Sequence, residues 1–277
     1  MVAITADAAA TAALHIAYAL AHEHGAVPTV LRVVHEDLAA EAATTGVMGG
    51  VPESALDPIY RTTQRTALEQ QVQHVLGQLP PWRYEVDVGA TVPTIVARTH
   101  ELQAELVILG FPQHDFFRRA FVRDTVQGVI EHTEAAVLAV RPELMRRPES
   151  ILVAMDFGPS SVRAAHVACQ LVAPSGHVTL AYVQPKTIDR APEGTTTLDT
   201  AFTLLLDELS SQKAITITSM IEHGDPITGV EEMALRTQPD VIALGARNHS
   251  MVDWFFGDSV LTNLVSERRW SLLVVPE

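Results

Sequence analysis

The chain repeats itself, and no other feature constrains its fold so strongly. Ile151-Leu-Val-Ala154 restarts a pattern that began at Val2-Ala3-Ile4. Each apolar run leads into a helix-patterned segment, Ala8–His24 in one copy and Pro159–Val172 in the other. A glycine and a β-rich run follow each time: Gly25 before Pro28–Val34, Gly176 before His177–Val183. Gly25 and Gly176 stand 151 apart, whereas the pairs Gly89/Gly224 and Gly110/Gly245 each stand 135 apart. The first copy therefore carries 16 more residues between those points (151 − 135). They are expected in Asp37–Pro58, which is rich in Ala, Thr and Gly and contains Gly49-Gly50. A loop or mobile excursion longer than an ordinary strand–helix connection is expected there.

Within each copy, short apolar runs alternate with segments of helical period. Strands are expected near 2–5, 29–34, 83–88, 106–109 and 136–140, and again near 151–154, 177–183, 215–221, 240–244 and 271–275. Leu106-Val-Ile-Leu109, Val241-Ile-Ala-Leu244 and Leu272-Leu-Val-Val275 are apolar throughout, as strands covered by helices on both faces must be. Pro58–Leu76 and Leu198–Ser210 carry the spacing of helices. Alternation of this kind, twice over, predicts an α/β protein of two doubly wound, five-stranded parallel-sheet domains in tandem. The expected domains are 1–142 and 150–277. Arg141–Ser150, with Pro142 and Pro148, is a short charged joint, so the two copies are expected to pack on each other.

Composition narrows the class of partner. A chain of 277 residues is ample for two cores at roughly 100–200 residues per domain. Its 33 Asp and Glu against 19 Lys and Arg give a net charge of −14, which repels nucleic acid and anionic membranes. The lone Cys169 has no internal disulfide partner, as in a reducing cytoplasm. The apolar stretch Ala8–Leu20 lacks the basic start of a signal peptide and is too short to span a bilayer, so a cytoplasmic location is expected.

Open parallel sheets bind ligands beyond the carboxyl ends of their strands, where strand order reverses. In the second copy that rule singles out Asp156-Phe-Gly-Pro159 and Gly245-Ala-Arg247-Asn248, the latter running on to Gly257-Asp-Ser259. Glycine after a strand permits close backbone approach, and Gly257-Asp258-Ser259 would open a helix whose free amides suit a phosphate. Strand exits also need glycine for structural reasons alone.

The tandem layout resembles a two-domain universal stress protein. The landmarks are Ile151-Leu-Val-Ala-Met-Asp156, Gly224-Asp-Pro226, Asp240-Val-Ile-Ala-Leu-Gly245, Gly257-Asp-Ser259-Val260 and Leu272-Leu-Val-Val-Pro276. The first copy matches more loosely, through Leu106-Val-Ile-Leu-Gly110 and Val137-Leu-Ala-Val-Arg-Pro142. The resemblance implies an adenine-nucleotide alpha-hydrolase-like fold and a non-catalytic stress-response protein. It also implies an ATP or other adenine-nucleotide site in the second copy, with the need for Mg left open. By the same resemblance, Asp156 would hydrogen-bond the adenosine part and Val183 would sit against the base. Gly245, Arg247, Asn248, Gly257 and Ser259 would line the phosphates. The family's glycine pattern is altered here, for Asn248 stands in its second slot and Asp258 precedes Ser259. The final strands, Val137–Val140 and Leu272–Val275, would lie at the domain interface, and a homodimer stays open.

The first copy reads as a degenerate site. Thr5-Ala6 replaces Asp156, Phe111-Pro112-Gln113 follows Gly110, and Arg123 stands where the second copy has Gly257. Arg118, Arg119 and Arg123 either gather an anion or form a solvated face. His22-Glu23-His24 is the densest histidine cluster, but residues two apart do not share a helix face and cysteine partners are lacking, so no metal is expected. His114 and His249 follow equivalent glycines, Phe116-Phe117 and Trp254-Phe-Phe256 read as core or partner patch, and Asp207-Glu208 reads as solvated. Two rival functions remain: an interaction module that has lost nucleotide binding, or a slow ATP hydrolase using Asp156 and Asp258.

Overall fold

The structure, a computed structural model, describes residues 1–4, 9–34, 53–111, 119–184, 192–210, 215–246, 264 and 269–277. It divides into two compact units, Met1–Ala135 with Ala139–Arg146, and Arg147–Glu277 with Ala136–Leu138.

The first copy runs β1 (Val2–Ala3), α1 (Ala9–His24), β2 (Thr29–Val34), α2 (Glu53–Leu76), β3 (Arg83–Val88), α3 (Thr91–Glu101), β4 (Leu106–Gly110), α4 (Arg119–His132) and β5 (Ala136–Val140). Strand order is β3-β2-β1-β4-β5, with β1 parallel to both β2 and β4. Helix α1 is built largely of alanine, and Ala12, Ala13, Leu14 and Ile16 are fully buried. Small side chains let its backbone approach the strands closely while propensity holds the helix. Helix α2 departs from the sequence expectation at its start. It begins at Glu53 and carries Pro58 inside it, so the last residues of the expected 37–58 excursion are helical. A proline this near the start forfeits one backbone hydrogen bond, and its fixed φ is otherwise helical. The rest of that segment lies outside the described residues.

The second copy runs β6 (Ser150–Met155), α5 (Pro159–Leu171), β7 (His177–Gln184), α6 (Pro192–Ser210), β8 (Thr216–His223), α7 (Pro226–Thr237), β9 (Val241–Ala246) and β10 (Ser271–Pro276). Its strand order is β10-β9-β6-β7-β8, every neighbouring pair parallel. Ile151, Leu152, Val153, Val241, Ile242, Ala243, Leu272 and Leu273 are at most 1% exposed, as the unbroken apolar runs require. Both described sheets are thus doubly wound, as the sequence led us to expect.

Two polar devices hold the amino end of the second sheet. Asp240 Oδ2 accepts hydrogen bonds from the amides of Glu149 (2.7 Å) and Ser150 (3.0 Å), pinning the entry to β6 beside β9. Arg147 is buried and donates to the carbonyls of Gln170, Leu171 and Val172, which closes the carboxyl end of α5. Carbonyls left open at a helix end attract cations, so this charge is well spent. Asp156, Val183 and Gly245, singled out from the sequence, lie at the opposite, carboxyl ends of β6, β7 and β9.

Candidate functional site

Strand order reverses at β6, which lies between β9 and β7. Ala154 pairs with Leu244 and Met155 with Tyr182, so Asp156, Gly245 and Val183 fall at neighbouring strand ends. Three of the residues singled out from the sequence are thereby brought together. Arg247, Asn248, Gly257 and Ser259 lie outside the described residues, as do Asp258, His114, His249, Arg118 and the aromatic pairs around Phe116 and Phe255.

Asp156 is exposed, and its carboxylate is held by its own chain. Oδ1 accepts from the Gly158 amide at 2.8 Å and from the Ser161 hydroxyl at 2.6 Å. Gly158 is the N-cap of α5 and has no side chain to perform that role, so Asp156 supplies the anion the helix start favours. The carboxylate is therefore fixed in place rather than swinging freely.

Gly245 has a cause that sequence reasoning assigned to phosphate. A Cβ built on it would lie 2.4 Å from the Ser161 nitrogen, 2.5 Å from the Ser160 carbonyl carbon and 2.7 Å from Ser160 Oγ. The first turn of α5 presses directly onto β9 here, and two of those three atoms are backbone that cannot rotate away. Ser160 and Ser161 are correspondingly buried, each 2% exposed. The close approach is by the protein's own helix.

Val183 is 7% exposed, and its methyls lie against Gly229 of α7, where an added Cβ would fall 2.7 Å away. Its side chain is thus committed to the core beneath α7. Strand alternation turns its neighbour Tyr182 to the opposite face, and there Tyr182 meets Phe157. The Phe157 ring lies 5.6 Å from that of Tyr182 and 4.8 Å from Phe202 on α6, nearly perpendicular to the latter. Phe157 also holds a left-handed φ of +59°, costly for a bulky residue and found where neighbouring structure overdetermines it. Sequence reasoning passed over this aromatic group. Its only signal was a Phe directly after the strand-end Asp, and nothing in the sequence announces the backbone angle.

The first copy differs at the equivalent strand end. Phe111, which follows Gly110, is 3% exposed, and its amide donates to the Val140 carbonyl at 2.7 Å. On the sheet itself it replaces Tyr182 with a charge: Ala3 pairs with Leu31 as Ala154 pairs with Ala181, which sets Arg32 in the position of Tyr182. Further along, Arg98 of α3 grips Asp87 with two hydrogen bonds, 2.6 and 2.9 Å, and reaches Glu101 at 2.9 Å. That grip holds the Asp87 carboxyl below the usual aspartate range, against the opposing effect of burial.

Among the described residues no group of three His, Cys, Asp or Glu side chains is placed to hold a metal. His22, Glu23 and His24 are exposed at the end of α1, and Asp207 and Glu208 are exposed on α6, where Glu208 meets His166 at 3.2 Å. Cys169 is buried as a free thiol. Ser161 spends its hydroxyl on Asp156 and on the Gly158 carbonyl. Among the described residues no helix is long and apolar enough to cross a membrane.

Comparison with known proteins agrees with this architecture. A family model described as the universal stress protein family matches residues 1–141 and again residues 148–276. No curated protein matches the chain. Among solved structures, a universal stress protein from Archaeoglobus fulgidus DSM 4304 has a TM-score of 0.68 at 14% identity, covering 100% of this chain and 96% of that one. A functionally unknown protein from Pseudomonas aeruginosa PAO1 has a TM-score of 0.61 at 13% identity, covering 99% and 92%. A putative universal stress protein from Pseudomonas aeruginosa UCBPP-PA14 has a TM-score of 0.60 at 13% identity, with the same coverage. At these identities the likeness is one of fold.

Proposed function

Because the chain belongs to the universal stress protein family, with two copies of the family's domain in tandem, we propose that it is a non-catalytic cytoplasmic stress-response protein binding one adenine nucleotide, ATP foremost, in its second copy. The observation that carries this reading is the exposed Asp156 carboxylate, fixed by Gly158 and Ser161 at the carboxyl end of β6 and level with Gly245. A carboxylate so held accepts hydrogen bonds from ribose hydroxyls. The Phe157 and Tyr182 rings beside it suit the flat face of a base. Val183 takes part through its main chain, since its side chain is beneath α7. Arg247, Asn248, Gly257 and Ser259 would meet the phosphates as the chain runs on from β9. A net charge of −14 opposes a polyanion, so backbone amides and Arg247 must offset it. The nucleotide is assigned to the second copy because the first has Thr5 where the second has Asp156, and a buried Phe111 directly after Gly110.

Calorimetric titration of the full chain with ATP, ADP and AMP tests this reading. One site per chain is expected, weakened about tenfold by Asp156→Ala, since a hydrogen bond to a charged group contributes about 1.5 kcal/mol. No heat at millimolar nucleotide would sink the nucleotide assignment and leave the family assignment standing. Binding untouched by Asp156→Ala would place the nucleotide elsewhere.

A further inference from the structure

Among the described residues Arg32 and Arg147 are the buried arginines, each 8% exposed, and Arg98 is half-buried. Arg147 donates through Nε and Nη2 to three helix-end carbonyls, and Arg98 donates to the carboxylates of Asp87 and Glu101. Arg32 differs from both. It stands on β2, directly opposite Val86, and is 8% exposed. Val30, Val34 and Val86 share its face of the sheet, and all are buried. One Nη donates to Gln71 Oε1 from α2, and Nε is buried without a partner. Among the described residues no carboxylate pairs with it, and burial alone pushes its pKa down from the ordinary value.

A guanidinium does not shed its proton to escape burial, and taking one out of water costs several kcal/mol unless its donors are met. Gln71 meets one of the five Arg32 donors, and the Nε donor is buried with none. The fork that remains has the shape that holds two oxygens of a planar or tetrahedral oxyanion side by side. We infer that Arg32 is the receptor for a small oxyanion group, phosphate or carboxylate, in the first copy. The first copy has then exchanged its ligand chemistry rather than only losing it: where the second copy sets the Tyr182 ring, the first sets a cation. This inference is independent of the nucleotide proposed for the second copy, which engages Asp156 and not Arg32.

Thermal unfolding of the full chain in inorganic phosphate, acetate and chloride series at matched ionic strength is the test. The wild type is expected to show a saturable rise in Tm with phosphate or acetate over chloride. The size is about 5–10 °C at a hundredfold excess over the dissociation constant. The more effective anion identifies the source chemistry. Arg32→Met removes the charge yet keeps the apolar stem, so it is expected to match or exceed the wild type in chloride and to lose the response. Arg32→Lys keeps the charge without the fork and is expected to respond weakly, which serves if the Met variant does not fold. A wild type indifferent to both anions overturns the inference. An equal response in wild type and variants also overturns it, marking an adventitious ion only.

Discussion

The two copies share a backbone plan and differ in what occupies the carboxyl ends of their strands. In the second copy the strand-end Gly245 is kept bare because the start of α5 lies on it, and an exposed carboxylate stands alongside. In the first, the residue after Gly110 is a buried phenylalanine whose amide is tied to Val140. Both copies keep the strand-end glycine, and the residue after it is Ala246 in one and Phe111 in the other. The difference teaches that one backbone plan accepts either a small residue with a carboxylate beside it, Ala246 and Asp156, or a large apolar one with a threonine, Phe111 and Thr5.

Substitutions that reverse each choice should therefore cost stability in only one copy. Phe111→Ala empties a buried site and is expected to destabilise the first copy by about 3–5 kcal/mol. Gly245→Ala forces a methyl into the Ser160–Ser161 backbone and is expected to cost the second copy about 3 kcal/mol. Hydrogen-exchange mass spectrometry separates the two, since protection should fall in residues 1–135 for one variant and in 150–277 for the other. Loss of protection in the wrong copy would break the comparison, showing that the two do not carry their stability separately.

A smaller contrast lies on the third strand of each copy. Asp87 is clamped by Arg98 with its side chain 12% exposed, whereas the corresponding Glu222 pairs with Arg236 at 34% exposure. Exposed pairs are screened and contribute little. Arg98→Met is expected to cost the first copy about 1–2 kcal/mol, and Arg236→Met less than about 0.5 kcal/mol. The pH dependence follows from the depressed Asp87 carboxyl. Below about pH 4 the unfolded chain binds a proton there that the folded chain does not, so stability is lost as pH falls through the folded value. Urea unfolding between pH 6 and pH 3 should show the first copy losing more stability in wild type than in Arg98→Met. Parallel curves for the two proteins would remove Asp87 from the account.

How far the sequence carried the reading follows from the reach of each interaction. Runs such as Val241-Ile-Ala-Leu244 announce buried parallel strands because local pattern and burial coincide, and both sheets follow from them. Pro58 suggested a helix start, but α2 extends back to Glu53, since one lost hydrogen bond does not decide a helix of 24 residues. At the candidate site Asp156 and Gly245 were legible as strand-end residues. The reason for Gly245 was not, because Ser160 and Ser161 approach it from more than 80 positions away. Val183 was read on the right strand, but which face its side chain takes depends on Gly229. Arg32 passed as a member of a β-rich run, for periodicity records where a residue sits and not whether its charge finds a partner.

The finest difference between the copies is at one helix cap, and it admits an exchange in both directions. Asp225 and Ala90 hold equivalent positions 135 apart with nearly identical backbone angles, φ −76° and ψ 132° against φ −71° and ψ 131°. Asp225 Oδ1 accepts from the amides of Ile227 and Thr228, each at 3.1 Å, and Ala90 makes no such bond. Asp225→Ala should therefore destabilise the second copy by about 1 kcal/mol. The reverse change is not symmetrical. In the first copy the residue matching Thr228 is Pro93, which has no amide proton, so a carboxylate at position 90 finds only the Val92 donor. Ala90→Asp is accordingly expected to stabilise the first copy by about 0.5 kcal/mol, half of what the second copy loses. Urea midpoints for the two variants measure the ratio, and equal and opposite shifts would show that the Pro93 position contributes nothing to capping.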